Sequence, residues 1–341
     1  MARASACRLD TRVEGSARVS KPLAAYRAAG RGPPQQIAGE AYGLNMRPLR
    51  NAARLARTPA MWPLYARWLC TGPRTGLPLK ADPERSLAGW SSFSECWSFH
   101  DGLPGREFLF LERIARSAAQ PPLALDVGAN IGLFTLELAL LGFRVHAFEP
   151  VPSTFERLRA NVRSNRIPAE RLQLNCAAVG DFEGTVGFAV DERSAGTNHA
   201  VLGPEAADSL VHMPCTTLDT YCSANNIDFV DFLKIDVEGM ELHVLRGARR
   251  LLSGGAVGAV LLEICPGNLA RAGATPADLG DLLARSGYTI HALLTDGSAG
   301  PCLTTSDLQS IDLANLIAVR TVAPGSMSRL FGDTIHVRNN H

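Results

Sequence analysis

Leu125-Asp126-Val127-Gly128-Ala129-Asn130-Ile131-Gly132 decides the fold. An apolar run over 123–127 stops at glycines, and apolar residues at helical spacing follow at once (Leu133, Leu136, Leu138, Leu141). The pattern reads as a buried strand, a tight turn and the start of a helix. Glycine lets the backbone of such a turn approach a bound molecule closely, and the helix N-terminus adds positive potential. Asp126 sets what can bind, because a carboxylate inside the turn repels a pyrophosphate and attracts a cation.

Outward from this turn, strand and helix patterns alternate. A helix over 108–115 precedes the first strand, and the helix after the turn closes at Gly142 in the position that follows a C-cap. Strands are expected at 144–148, 172–179, 232–237, 256–264, 288–294 and 315–320. Between them lie helices opening at a Ser153-Thr154-Phe155-Glu156 capping box, at 218, at 241 and at Thr275-Pro276. Short β segments at 184–190, 199–202 and 211–215 read as an insertion. Alternating strands and helices predict an α/β, doubly wound and mostly parallel sheet. Ligands of such sheets bind beyond the strand C-termini, at the point where strand order reverses.

Three strand ends then carry the binding chemistry. Gly128, Asn130 and Gly132 form the turn. Glu149, in Phe148-Glu149-Pro150, ends the second strand about 20 residues later, where a carboxylate can accept both hydroxyls of a ribose. Val179 and Asp181 follow the third strand, placed to pack on a flat base and to accept from its amine. With Asp126 as the partner of an ammonium, the set predicts S-adenosyl-L-methionine, which carries an amine and a sulfonium. The competing structural reading has the glycines serving only the turn and Glu149 as a solvated loop carboxylate.

Leu233-Lys234-Ile235-Asp236-Val237-Glu238 is unusual for a central strand, which should be apolar on both faces. Alternation puts Lys234, Asp236 and Glu238 on one face, where buried charges are costly unless paired or put to use. Asp236 is the first candidate for a base or orienting group, Glu238 the second, and Lys234 the group that holds their charge. His199, in the inserted β region, is an alternative base. The structural alternative is an ion pair of Lys234 with Asp236 or Glu238. Asp236 and Glu263, at the ends of neighbouring strands, could form part of a Mg²⁺ site. Nothing else has ligand spacing, so no metal is included in the expected site.

Residues from about 97 to 320 resemble the FkbM family of S-adenosylmethionine-dependent methyltransferases. The resemblance rests on 126–132, Phe148-Glu149-Pro150 and Ala178-Val179-Gly180-Asp181. Its most specific parts are Thr217-Leu218-Asp219 and Leu233-Lys234-Ile235-Asp236-Val237-Glu238-Gly239. It implies a Rossmann-like class I fold, seven strands with the last antiparallel, and methyl transfer to a hydroxyl of a saccharide or secondary metabolite. The first 95 residues lie outside it.

Composition bounds the rest. The chain has 341 residues, 46% hydrophobic and 20% charged, an ordinary globular balance. No apolar run suffices for a transmembrane helix and no compact apolar segment suggests a secretory signal. The eight cysteines are scattered without a Cys-x-x-Cys pair, which argues for a reducing, cytoplasmic setting. Residues 1–80 hold 14 Lys/Arg against 3 Asp/Glu. A basic arm could touch nucleic acid or an anionic membrane, but the arginine- and alanine-rich composition of a high-GC genome accounts for it, and no nucleic-acid partner is expected. The expected organisation is a disordered leader at 1–45 with Met46 as a possible true start, a short helical basic extension and Pro/Gly/Ser linker at 46–95, the cofactor-binding domain at 96–322, and a tail at 323–341. Two other functions compete. A nicotinamide-dependent oxidoreductase is disfavoured by Asp126 and by the missing Gly-x-Gly-x-x-Gly spacing. A catalytically silent scaffold is disfavoured by the charged strand.

Overall fold

A computed structural model describes residues 62–90, 96, 105–118, 120–190, 199–201 and 210–320. The expectations for 1–45 and 323–341 lie outside these residues.

The first strand of the main sheet, β3 (Leu123–Val127), is buried along its whole length. Helix α3 (Leu133–Leu140) follows it, with Gly132 as N-cap at φ +102°. The chain continues through β4 (Arg144–Phe148), α4 (Pro152–Ser164) and β5 (Leu172–Asn175), each new strand adding outward in parallel. It then crosses back to β10 (Val230–Ile235), which pairs parallel with the other side of β3. β11 (Val257–Ile264) extends that side in parallel, followed by the antiparallel β14 (Ala314–Arg320) and then β12 (Tyr288–Leu293). The order of strands is therefore reversed between β3 and β10, and their C-terminal ends meet at Val127 and Ile235. An eighth strand, β13 (Ala299–Cys302), adds to the seven expected ones at the β12 edge. Its Ala-Gly-Pro-Cys sequence has little strand propensity, and proline is tolerated there because an edge strand need not donate on both sides.

Residues 172–179 are not one strand. The main-sheet ladder ends at Asn175, and β6 (Ala178–Val179) joins a second, four-stranded sheet with β9 (Val211–Thr216), β7 (Gly184–Ala189) and β8 (His199–Val201). Val151, Ala178, Val186, Phe188, Met213 and Cys215 form its buried apolar face. The capping box at 153–156 is also displaced: α4 begins at Pro152 with Val151 before it and no side-chain cap. A proline at the first helical position has no N–H to satisfy and already has the required φ, so it sets the start. Thr275 does cap its helix, α9 (Pro276–Arg285), with Asp278 completing the box.

The stretch expected to be a linker is packed over 72–90. Helix α1 (Trp62–Thr71) leads into a small antiparallel hairpin, β1 (Leu77–Pro78) with β2 (Ser86–Leu87). Leu77, Leu79, Leu87 and Trp90 sit in one hydrophobic cluster with Phe110, Leu136, Phe143 and Phe232. Asn161, in the last turn of α4, and Asn165, which caps its C-terminus, imitate a neighbouring strand. Each donates to and accepts from one backbone residue of the hairpin, Ala88 and Ser86 respectively, at 2.8–3.1 Å. The buried Glu137 of α3 accepts from the amides of Lys80 and Ala81. Proline and glycine content suggested a linker, but the spaced leucines were the better signal.

Candidate active site

The site forms where β3 and β10 end side by side. Lys234 stands directly opposite Asp126 in the ladder, so their side chains share a face. The Lys234 Nζ lies 3.4 Å from Asp126 Oδ1 and 3.3 Å from Asp236 Oδ2, donates to the Gly128 carbonyl at 3.0 Å, and sits 5.0 Å from the centre of the Phe134 ring. Burial alone would lower its pKa, but Asp236 and Asp126 together outweigh burial and hold it up at about 12. Asp126 is fully buried, and its Oδ2 accepts from Thr135 at 2.6 Å. It does not line the cavity. Asp126, expected to meet a bound ammonium, lies beneath the cavity wall with its carboxylate paired to Lys234.

The glycine turn also works differently from the expectation. The amides of Gly128 and Ala129 both donate to the Phe148 carbonyl, Asn130 donates to Glu149 Oε2, Ile131 to Asn130 Oδ1 and Gly132 to the Ala129 carbonyl. None of these five N–H groups is left for an anion. Gly128, at φ +78°, is needed for a close approach, since a Cβ there would lie 1.8 Å from the Asp236 carbonyl oxygen. Gly132 supports the fold rather than the cavity, because its Cβ would meet Leu158 at 2.6 Å.

Glu149 lines the cavity and is 7% exposed. Its Oε1 and Oε2 each accept one backbone N–H, from Val151 and Asn130, at 3.0 Å. A carboxylate oxygen has further acceptor capacity, so both remain able to accept a hydroxyl. Burial raises its pKa more than these amides lower it, to about 7. Val179 and Gly180 line the same end of the cavity, whereas Asp181 does not and pairs with His243 Nδ1 at 2.9 Å.

At the other end the cavity floor is acidic. Asp236, Glu238 and Glu263 line it, and one oxygen of each lies within 4.8 Å of the others. Carboxylates so close are compatible with a bound cation or with protonation of one of them. Glu238 departs from strand alternation at φ +54° and accepts from Asn268 Nδ2 at 2.6 Å; burial first, then Asp236 and Glu241, push its pKa up to about 8. Glu263 ends β11 beside Asp236, whose charge, together with burial, raises the Glu263 pKa well above the carboxyl range. Glu241 lies under the loop, accepting from the amides of Val237 and Gly239. The insertion supplies an apolar wall of Phe182, Val186, Phe188, Ala200 and Cys215. His199, on β8, does not line the cavity.

Gly128, Asn130, Glu149, Val179, Lys234, Asp236 and Glu238 are thus brought together, while Asp126 and Gly132 stand behind them and Asp181 and His199 lie aside. Sequence reasoning set Glu263 apart as a possible metal residue. The strand-end rule that selected Asp236 applies to it equally. The insertion's wall had no such signal, because tertiary packing alone turns those apolar residues toward the cavity.

Residues 126–290 match the family described as the methyltransferase FkbM domain. The chain is 28% identical over 195 residues to the hexuronic acid methyltransferase AglP of Haloferax volcanii, across 57% of this chain and 74% of that protein. It is 32% identical over 152 residues to the 31-O-demethyl-FK506 methyltransferase FkbM of Streptomyces tacrolimicus, across 36% of this chain and 57% of that one. It is 25% identical over 148 residues to the 2-O-methyltransferase NoeI of Sinorhizobium fredii, across 39% of this chain and 59% of that one. The chain therefore spans less than two thirds of the length of the latter two.

Proposed function

We propose, from the premise that this chain belongs to the FkbM family of S-adenosylmethionine-dependent methyltransferases, that it methylates a hydroxyl oxygen of a saccharide or secondary metabolite. Two of the relatives are named as O-methyltransferases of an oxygen position, and AglP is named for a hexuronic acid. The observation that carries the reading is the placement of Asp236: ion-paired to a buried lysine, at the cavity floor, against the glycine turn.

S-adenosylmethionine supplies an electrophilic methyl group when bound. The residues present fit it: Glu149 retains acceptor capacity on both oxygens for two ribose hydroxyls, and Val179 offers an apolar surface for a base. Asp236 takes the proton of the acceptor hydroxyl, which is a poor nucleophile without a base. Lys234 keeps that carboxylate oriented and charged. Phe182, Val186 and Phe188 exclude water from the other side. The engagement of all five amides from Gly128 to Gly132 disfavours the oxidoreductase reading, since a pyrophosphate would find none of them free.

Calorimetric titration with S-adenosylmethionine and NAD, followed by transfer of labelled methyl to neutral hexosides, hexuronosides and macrolide alcohols, tests this. Binding of the first ligand alone and labelling of one acceptor class is the expected result. A protein that fails to bind S-adenosylmethionine would sink the reading. With an acceptor in hand, Asp236→Asn should lower kcat by about 10²- to 10⁴-fold.

A further inference from the structure

We propose that Glu263 is an acceptor-positioning residue that carries a proton and donates it as a hydrogen bond to the acceptor, on a hydroxyl beside the one that reacts. The inference rests on the methyl-transfer reading and extends it to a residue and a substrate class. Four carboxyl groups line the cavity (Glu149, Asp236, Glu238 and Glu263) against one basic side chain, Lys234. Lys234 is already engaged by Asp126 and Asp236. Glu238 is held by Asn268. Glu263 lines the cavity within 4.8 Å of Asp236 and Glu238, and like charges so close cannot all be ionised without a compensating cation.

The charged groups around Glu263 come from each neighbouring element. Lys234 belongs to β10, Asp236 and Glu238 to the loop after it, and Glu241 to the helix that follows. Asn315 stands opposite Glu263 on β14 and is bonded in turn to Glu107. Negative groups outnumber the single lysine, and the resulting rise in the Glu263 pKa agrees with a neutral side chain at neutral pH. A neutral carboxyl beside a carboxylate presents one donor and one strong acceptor. A vicinal diol matches that pair: one hydroxyl loses its proton to Asp236 while its neighbour accepts from Glu263. In the reaction the O–H bond breaks toward Asp236 and the O–C bond forms as the donor's S–C bond breaks, with that electron pair remaining on sulfur. Lys234, the one basic side chain lining the cavity, is already engaged by Asp126 and Asp236, so no cation is left to pair an anionic group and the acceptor end is a neutral polyol rather than a carboxylate-bearing sugar.

Infrared difference spectroscopy of the full chain at pH 7, wild type against Glu263→Gln, tests the protonation without any acceptor. Loss of a protonated-carboxyl C=O band in the variant is expected, and identical spectra would overturn the proposal. In the acceptor panel, neutral hexosides should be turned over in preference to hexuronosides. Glu263→Gln, which keeps a donor, should lose less than about tenfold in kcat/KM, and Glu263→Leu about 10- to 30-fold or more, chiefly in KM. The wild-type rate should fall at alkaline pH as Glu263 ionises, and the Gln variant should lack that fall. Equal damage from both substitutions, preference for hexuronosides, or Mg²⁺ binding by calorimetry that Glu263→Gln abolishes would each overturn it. Failure of the methyl-transfer reading shows separately, as no S-adenosylmethionine binding by the wild type.

Discussion

Lys234 ties three parts of the site together with one ammonium: the carboxylate beneath, the carboxylate in front and the carbonyl of the glycine turn. Removing it leaves Asp126 buried without its partner, and an uncompensated buried charge costs about 3–5 kcal/mol. Lys234→Met should therefore lower the unfolding free energy by roughly that amount in urea denaturation, and adding Asp126→Asn should recover part of it. Glu149 gives a second test. Its pKa of about 7 means that it is protonated below neutral pH and then offers fewer acceptor sites. Affinity for S-adenosylmethionine should fall as pH drops from 8 to 6, and calorimetry on Glu149→Gln should show weaker binding with that dependence gone. Both residues were legible as site residues from strand-end position. What Asp126 does was not, because the sequence gives its strand and not the residue opposite it.

Among the elements, the hairpin at 77–90 changes most from its sequence reading. A single buried asparagine, Asn161, joins it to the glycine turn by donating to both the Ala88 and Ile131 carbonyls while accepting from the Ala88 amide. Asn161→Leu strands these backbone groups away from water. At about 1–3 kcal/mol for a buried unsatisfied group, the loss should reach at least about 2 kcal/mol, read in thermal or urea unfolding. Apolar periodicity made the long central strands legible, and the order β3, β4, β5, β10, β11 followed from the alternation with helices. Two-residue strands such as β1 and β6 give no periodic signal, and their pairing depends on residues distant in sequence. The break after Asn175 belongs to the same class, since only the change of sheet explains it.

At the scale of the whole molecule, the floor and neighbouring core concentrate carboxyl groups that titrate late. Glu149, Glu238 and Glu263 all have raised pKa values. The folded state then holds protons that the unfolded chain has released, so stability declines as pH rises from the ordinary carboxyl range through the raised values. His146 and His291 are shifted down and act oppositely, but only below the ordinary histidine range. Between pH 6.5 and 9 the acids decide the sign. The unfolding free energy should drop by on the order of 1 kcal/mol per pH unit over that interval, and a flat or rising curve would contradict the protonated floor. The contact of Gly128 with the Asp236 carbonyl has a separate consequence. It locks the glycine turn against the end of β10, with no room for a side chain between them. Neither can drift in evolution without displacing the other. The wall of the inserted sheet formed by Val186, Phe188 and Ala200 stands on strands other than β3 and β10, so new acceptors can be accommodated by rewriting those positions while this joint stays as it is.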